Sequence, residues 1–164
     1  MKRLLIMLVF ISIACNSKVD YSPRKINFDR DVCAVCKMGL TDQRYSAQAI
    51  NKFGEVYWFD DIGCLVELMQ TDKWKTWGGD SAKIYIGNGK TGEWLNARKA
   101  YYYYGKEETP MGYGYVAVPE NKGDSLYTFT EVVKRISQGK TSREKYLEEY
   151  NLLKEKKDSL KEKE

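Results

Sequence analysis

The residues best suited to chemistry in this chain are sulfur-bearing: it has four cysteines, five methionines and no histidine. Without histidine, Ser-His-Asp catalysis, Cys-His catalysis and His-rich zinc sites are excluded. Cys33, Cys36 and Met38 form a Cys-x-x-Cys-x-Met motif, and Met111 lies in a separate glycine-rich loop. Thiolate and thioether sulfurs together select soft metal ions, Cu(I) above all. The sequence therefore indicates a site in which sulfur atoms bind a soft metal ion.

Cys36 and Met38 can hold one ion only where the backbone between them is extended or turned. Two sulfurs on one metal lie at most about 4.6 Å apart, because each metal–sulfur bond is about 2.3 Å long. Residues i and i+2 face opposite ways on a helix but the same way on a strand, and the flexible Met side chain closes the remaining gap. Gly39 directly afterwards lets the backbone bend. A Met near a buried Cys is also common in protein cores, so the motif alone leaves both interpretations open.

Several of these residues have a structural interpretation as well. Met111 taken alone is explained as core filler. Outside the cytosol, a Cys-x-x-Cys pair can form or exchange a disulfide, although no βαβ pattern of the thioredoxin kind surrounds this one. Cys64 lies in an apolar helical stretch, which predicts a buried core thiol. Asp60 and Asp61, just before that stretch, are predicted to cap the helix rather than to act as acid–base groups.

Composition narrows the remaining function classes. The 164 residues correspond to one domain or two small ones, with 30% charged and 43% hydrophobic residues, as in a water-soluble protein with a core. The formal charge of +4, from 27 Lys and Arg against 23 Asp and Glu, is too small for an electrostatic nucleic-acid binder, and no basic stripe appears. Nucleic acid is therefore not a predicted partner.

The N-terminus is predicted to be an export signal. Two basic residues precede an apolar run that ends at Ala14, too short to span a bilayer, and small residues lead up to Cys15. This pattern resembles the lipobox of bacterial lipoproteins, so residues 1–14 are predicted to be removed and Cys15 to be lipidated; a cleaved signal with an incidental cysteine is the alternative. Residues 15–30 are predicted to be a flexible tether. The protein is then exported and anchored to a bacterial membrane, on the periplasmic side.

The hydrophobic pattern after residue 31 predicts short strands and helices of an α+β protein. Both halves follow the order strand, turn, strand, helix, which predicts two small homologous ββαβ-type units over 31–100 and 101–140; one continuous sheet with two helices on a face is the alternative. The four tyrosines from Tyr101 to Tyr104 fit a half-buried strand or a partner surface. The predicted elements are a hairpin of 45–50 and 55–59, a helix from Asp60 or Asp61 to Gln70, strands 83–86 and 93–95, a hairpin of 113–118 and 125–129, a helix capped by Thr130 that ends at Gly139, and a charged helical tail over 141–164.

Several motifs together resemble the NosL family over roughly residues 30–137. They are Cys33-Ala34-Val35-Cys36-Lys37-Met38, Ala47-Gln48-Ala49, Trp58-Phe59-Asp60-Asp61 with Cys64 after it, and Thr109-Pro110-Met111-Gly112. The family comprises lipid-anchored copper chaperones linked to assembly of the copper centres of nitrous oxide reductase. The resemblance implies a non-enzymatic protein of two ββαβ-type units that binds Cu(I) through sulfur.

Carried over position by position, the resemblance implies a Cu(I) site of Cys36, Met38 and Met111, with Cys33 able to supply a further thiolate. It also implies a recipient for the metal, either an exported copper enzyme of denitrification or its accessory transporter. A function of a different class remains open on the same residues. Cys33 and Cys36 can also act as nucleophiles of a thiol-dependent enzyme, either a disulfide oxidoreductase or a mercury–carbon lyase.

Overall fold

Residues 18–121 and 125–161 are described by the computed structural model, and they form two antiparallel sheets flanked by helices. The predicted signal segment 1–14 and the predicted lipidation site Cys15 lie outside the described residues. The strands are β1 (Ala47–Ile50), β2 (Val56–Phe59), β3 (Lys83–Gly87), β4 (Trp94–Asn96), β5 (Tyr101–Tyr104), β6 (Tyr115–Val118) and β7 (Tyr127–Thr128). The helices are α1 (Ile62–Met69), α2 (Asp72–Trp77), α3 (Phe129–Ser137) and α4 (Ser142–Lys161), with a 3₁₀ turn at Gly79–Ser81.

The first sheet has the strand order β2-β1-β3-β4, and the predicted hairpin of β1 and β2 lies within it. Strand β1 is central, pairing antiparallel with β2 on one side and with β3 on the other. All four of its residues are buried. Ala47 and Ala49 face the hydrophobic core, whereas Gln48 meets the N-terminal segment. The strands predicted at 83–86 and 93–95 are confirmed as β3 and β4.

The second sheet differs from its prediction, because its centre is the tyrosine run β5, in the order β6-β5-β7. The predicted hairpin between 113–118 and 125–129 is wrong: both segments pair with β5 instead of with each other. Tyr102 is fully buried, and its hydroxyl donates to the Ala97 carbonyl at 2.8 Å, so this tyrosine belongs to the core. The half-buried strand that the sequence allows for Tyr101–Tyr104 is confirmed, but its central place in the sheet was not predicted.

The α+β class is confirmed, but the second half places three strands before its helix, so its order of elements is βββα. The N-cap of helix α3 is Thr128, two residues before the predicted cap Thr130. Thr128 and Glu131 form a reciprocal capping box. A single buried cluster runs through both halves, with Phe59 and Leu65 from the first and Phe129 from the second. The two halves therefore share one core.

The segment predicted to be a flexible tether is in fact docked on the first sheet from Tyr21 onwards. The Gln48 side chain accepts from the Arg24 backbone N–H at 2.8 Å and donates to the Arg24 carbonyl at 2.9 Å. The Tyr85 hydroxyl donates to the Tyr21 carbonyl at 2.7 Å, and Ile26 is buried. The buried Gln48 amide satisfies its hydrogen bonds through this segment, and that requirement holds the segment in place.

Replacing Gln48 by Leu is expected to release this N-terminal segment. Leucine is similar in size to glutamine but has no amide, so the Arg24 N–H and carbonyl lose their hydrogen-bond partners. The free energy of unfolding should fall by about 1–3 kcal/mol, the usual cost of unsatisfied buried polar groups. Limited proteolysis with trypsin should cleave after Arg24 or Lys25 faster than in the unchanged protein. Gln70→Leu is the control, since the Gln70 amide makes one long bond to the Val66 carbonyl of its own helix. Equal cleavage rates in both variants would contradict this account.

The predicted charged tail forms helix α4, which contacts the rest of the protein mainly through its first turn. The Arg143 N–H donates to the Gly112 carbonyl at 2.7 Å, and the Arg143 guanidinium lies over the Tyr113 ring. Tyr146 and Tyr150, in the following turns, are exposed. No helix in the described part of the chain is both long and apolar enough to cross a membrane.

Candidate metal centre

The Cys-x-x-Cys-x-Met motif forms a tight loop that is closed by backbone hydrogen bonds. The Cys33 N–H donates to the Met38 carbonyl at 2.8 Å, and the next residues outward, Val32 and Gly39, form an antiparallel bridge. Lys37 N–H donates back to the Cys33 carbonyl at 3.2 Å, and Lys37 has a positive φ of 65°. The backbone is therefore turned rather than helical, which is the condition that the sequence set for sulfur atoms of this motif to converge.

Two anchors hold this loop against the corner between β2 and α1. The Ala34 N–H donates to the Trp58 carbonyl of β2 at 2.7 Å. Beyond the loop, the Asp60 carboxylate accepts from both the N–H and the hydroxyl of Thr41, at 3.0 and 3.1 Å. Asp60 was predicted as a possible helix cap, but its side chain binds this neighbouring segment instead. The carboxylate thus fixes the loop next to the start of α1.

Helix α1 brings a third thiol to the same place. Asp61 is its N-cap, accepting from the Gly63 N–H at 3.1 Å, and Cys64 is the third residue of the helix. The Sγ atoms of Cys33, Cys36 and Cys64 all lie within 4.8 Å of one another. Three sulfurs bound to one ion at about 2.3 Å lie about 4.0 Å apart in a trigonal plane, so a small adjustment suffices to bind a metal.

The cluster is sheltered on one side and accessible on the other. Cys33 and Cys64 are buried, whereas Cys36 is half-buried. All three are free thiols. A metal ion bound here would have two sulfur ligands held inside the protein and one that faces the surface, the side from which an ion could enter or leave.

The three thiols of the cluster differ in pKa. The pKa of the Cys33 thiol is lowered to about 5 because Cys64 donates a hydrogen bond to its sulfur, with further donation from the backbone N–H groups of Asp60, Val35 and Cys36. Donating that hydrogen bond raises the pKa of Cys64, and burial raises it further. Burial, together with the charge on Cys33, raises the pKa of Cys36. At neutral pH the cluster thus holds one thiolate and two thiols, and a bound cation would displace the remaining protons.

The two methionines predicted as ligands lie at different depths. Met38 is exposed, and its backbone N–H donates to the Cys36 sulfur, so it stands at the open side of the cluster. Met111 is half-buried against the core, and its N–H donates to the Asp61 carboxylate at 3.3 Å. Its loop is thereby held at the first turn of α1, the turn that carries Cys64. Ligation by either methionine stays a prediction.

Cys64 is the member of this cluster that sequence reasoning missed. The prediction of a buried thiol in an apolar helix is confirmed, but the structure also places its sulfur beside the Cys33–Cys36 pair. One feature of the sequence pointed to this: the number of thiols left after Cys15 was odd, so one thiol besides the Cys33–Cys36 pair needed an explanation.

The chain is an α+β protein with a cluster of three thiols that could hold a soft metal ion, and a solved structure of similar fold is known. No protein-family model matches the chain, and none of the curated proteins searched matches it in sequence. The crystal structure of the copper chaperone NosL from Shewanella denitrificans matches with a TM-score of 0.56 and 17% sequence identity, over 68% of this chain and 96% of that one. The chain therefore has a NosL-like fold, which confirms at the level of the fold the resemblance seen in the motifs.

Proposed function

We propose that this protein is a non-enzymatic Cu(I) chaperone that carries the ion on the three-thiol cluster and passes it to another exported protein. The observation that carries the proposal is the convergence of Cys33, Cys36 and Cys64, whose sulfurs lie within 4.8 Å of one another. The likeness to the fold of a copper chaperone supports it. So does the free state of the three thiols, which leaves them available for a metal.

The donor set favours Cu(I) over Zn(II). A closed zinc site needs four ligands, usually Cys or His, and the chain has no histidine. Cu(I) prefers soft sulfur ligands, and besides the three thiols the candidates to complete its shell are two thioethers, that of Met38 beside Cys36 and that of Met111 on the loop bonded to the first turn of α1. These methionines add polarizable ligands without adding charge or a proton to displace.

Transfer is proposed to proceed from the accessible side. An incoming ligand of the recipient first replaces Met38 or Cys36, which are exposed and half-buried, while the buried Cys33 and Cys64 still hold the ion. Stepwise replacement keeps the ion bound to sulfur throughout. The recipient proposed from the motif resemblance is nitrous oxide reductase or its accessory transporter, and lipidation of Cys15 is proposed to hold the chaperone at the periplasmic face of a bacterial membrane.

The direct test is a Cu(I) titration of the thiol-reduced full chain against a chromophoric Cu(I) chelator. We expect one tightly bound Cu(I) per chain, and Met38→Leu and Met111→Leu should each raise the apparent Kd about tenfold, the scale at which groups around a metal site act. Met69→Leu is the matched control, because Met69 packs half-buried on α1 outside the motif. If the chain bound no Cu(I) but catalysed disulfide exchange or cleavage of a mercury–carbon bond, with no effect of the methionine variants, a thiol-dependent enzyme would replace this proposal.

A further inference from the structure

We infer that Asp61 is a positioning residue that holds Met111 at the thiol cluster, and that its contact with Thr109 makes the site selective for Cu(I) over Zn(II). The inference rests on the proposed function and deepens it. Asp61 is 1% exposed, and its two carboxylate oxygens point to different parts of the chain. A buried carboxylate that bonds to two segments at once constrains how those segments sit relative to each other.

One carboxylate oxygen of Asp61 accepts a hydrogen bond from α1, and the other accepts hydrogen bonds from the loop that carries Thr109 and Met111. Oδ1 accepts from the Gly63 N–H at 3.1 Å, which caps the helix that carries Cys64. Oδ2 accepts from the Thr109 hydroxyl at 2.5 Å and from the Met111 N–H at 3.3 Å. The same side chain therefore links the backbone that bears one thiol to the backbone that bears the thioether.

The loop is also packed against the first turn of α1. The Thr109 hydroxyl accepts from the Gly114 N–H at 3.0 Å, which closes the loop on itself. The Tyr113 ring covers Gly63 so closely that a Cβ built there would lie 2.0 Å from a ring carbon. The loop thus sits where Met111 can approach the helix, and the Asp61 carboxylate sets its position there through directed hydrogen bonds.

This arrangement affects the two metals differently. With Met111 held in place, the site offers three thiolates and a thioether, a combination that suits a soft monovalent ion. With the loop released, it offers three thiolates and a position open to water, which Zn(II) accepts as a fourth ligand. Loss of the Asp61–Thr109 bond should therefore weaken Cu(I) binding while leaving Zn(II) binding almost unchanged.

The test compares Thr109→Val with Thr109→Ser in the reduced full chain. Valine has the shape of threonine without the hydroxyl, whereas serine keeps the hydroxyl that donates to Asp61. We expect Thr109→Val to raise the apparent Kd for Cu(I) about tenfold, the low end of what outer-shell partners contribute, with Zn(II) affinity within about twofold of the unchanged protein. Thr109→Ser should keep the Cu(I) affinity of the unchanged protein. Metal titrations against chromophoric chelators, together with thermal unfolding of the metal-free protein, supply the readouts.

Two further variants separate positioning from stability. Asp61→Ser keeps a helix-capping oxygen but is too short to reach Thr109, so it should reproduce the selective loss. Thr128→Ala removes the cap of α3 instead; it should lower the melting temperature without changing either metal affinity. Equal losses for Cu(I) and Zn(II) in Thr109→Val and Asp61→Ser, or no loss for either metal, would overturn the inference. If Met111→Leu weakened Cu(I) binding while Thr109→Val and Asp61→Ser did not, the inference would fail and the proposed function would stand.

Discussion

Replacing Cys64 by serine is expected to weaken Cu(I) binding by more than about a hundredfold, although the sequence presents this residue as a core thiol. Structural zinc sites with four ligands bind their ion with about 10–16 kcal/mol, or about 3 kcal/mol for each ligand, and a thiolate ligand of Cu(I) is taken to contribute on the same scale. Serine is close in size to cysteine, so it removes the sulfur with little change in packing. The cluster would keep Cys33 and Cys36, but the second buried ligand would be lost. Competition with a chromophoric Cu(I) chelator measures the change.

The control for this variant is Val66→Ala on the same helix. Val66 is fully buried, and its truncation to alanine leaves a cavity without removing a sulfur atom. It should lower the free energy of unfolding by about 1–3 kcal/mol and leave the Cu(I) affinity unchanged. A Cys64→Ser protein that binds Cu(I) as tightly as the unchanged protein would show that Cys64 is a packing residue alone.

Cu(I) affinity is expected to rise about a hundredfold for each pH unit between pH 6 and 8, because two protons leave the cluster when the metal binds. With its pKa lowered to about 5 by the hydrogen bond from Cys64, Cys33 is already a thiolate in this range. Burial raises the pKa of Cys36, and the hydrogen bond to Cys33 raises that of Cys64, so both still carry protons. Protons compete with the metal, so lower pH must weaken binding. Chelator competition at several pH values, corrected for the chelator's own protonation, gives the slope.

The Cys36→Ser variant provides an internal check on this slope. Removing one protonated thiol leaves a single proton to be displaced, so the affinity should then change by about tenfold for each pH unit. An affinity that did not vary with pH in the unchanged protein would mean that Cys36 and Cys64 keep their protons, and hence that they are not ligands.

The elements of the fold were largely predictable, whereas their pairing in the second half was not. Local alternation and turn residues predict β1, β2 and α1 well, because the elements are consecutive and pair with their neighbours. Strand β5 is a run of four tyrosines, whose side chains suit a surface and a core equally well, so nothing local marked it as central. The prediction of a flexible tether was wrong for a related reason. Its polar residues gave no sign that the Arg24 backbone binds Gln48, because that contact joins residues distant in the sequence.

The chemistry of the site was predictable from residue types, but its composition depended on tertiary structure. The motif of Cys33, Cys36 and Met38 indicated sulfur ligation because spacing alone restricts which conformations bring sulfurs together. Cys64 joins them through the packing of α1 against the loop, a contact between residues about thirty positions apart. Asp61 was correctly predicted as a cap, yet its bonds to Thr109 and Met111 lie far along the chain and had no counterpart in the sequence pattern.

X-ray absorption at the copper K-edge reports both the oxidation state of the ion and the atoms bound to it. For the reduced full chain loaded with one Cu(I), we expect a Cu(I) edge and a first shell made of sulfur alone, with at least three sulfurs at about 2.3 Å. Cys64→Ser should lose one sulfur from that shell. A shell dominated by nitrogen or oxygen, or one with two sulfurs that Cys64→Ser leaves unchanged, would contradict a three-thiol copper centre.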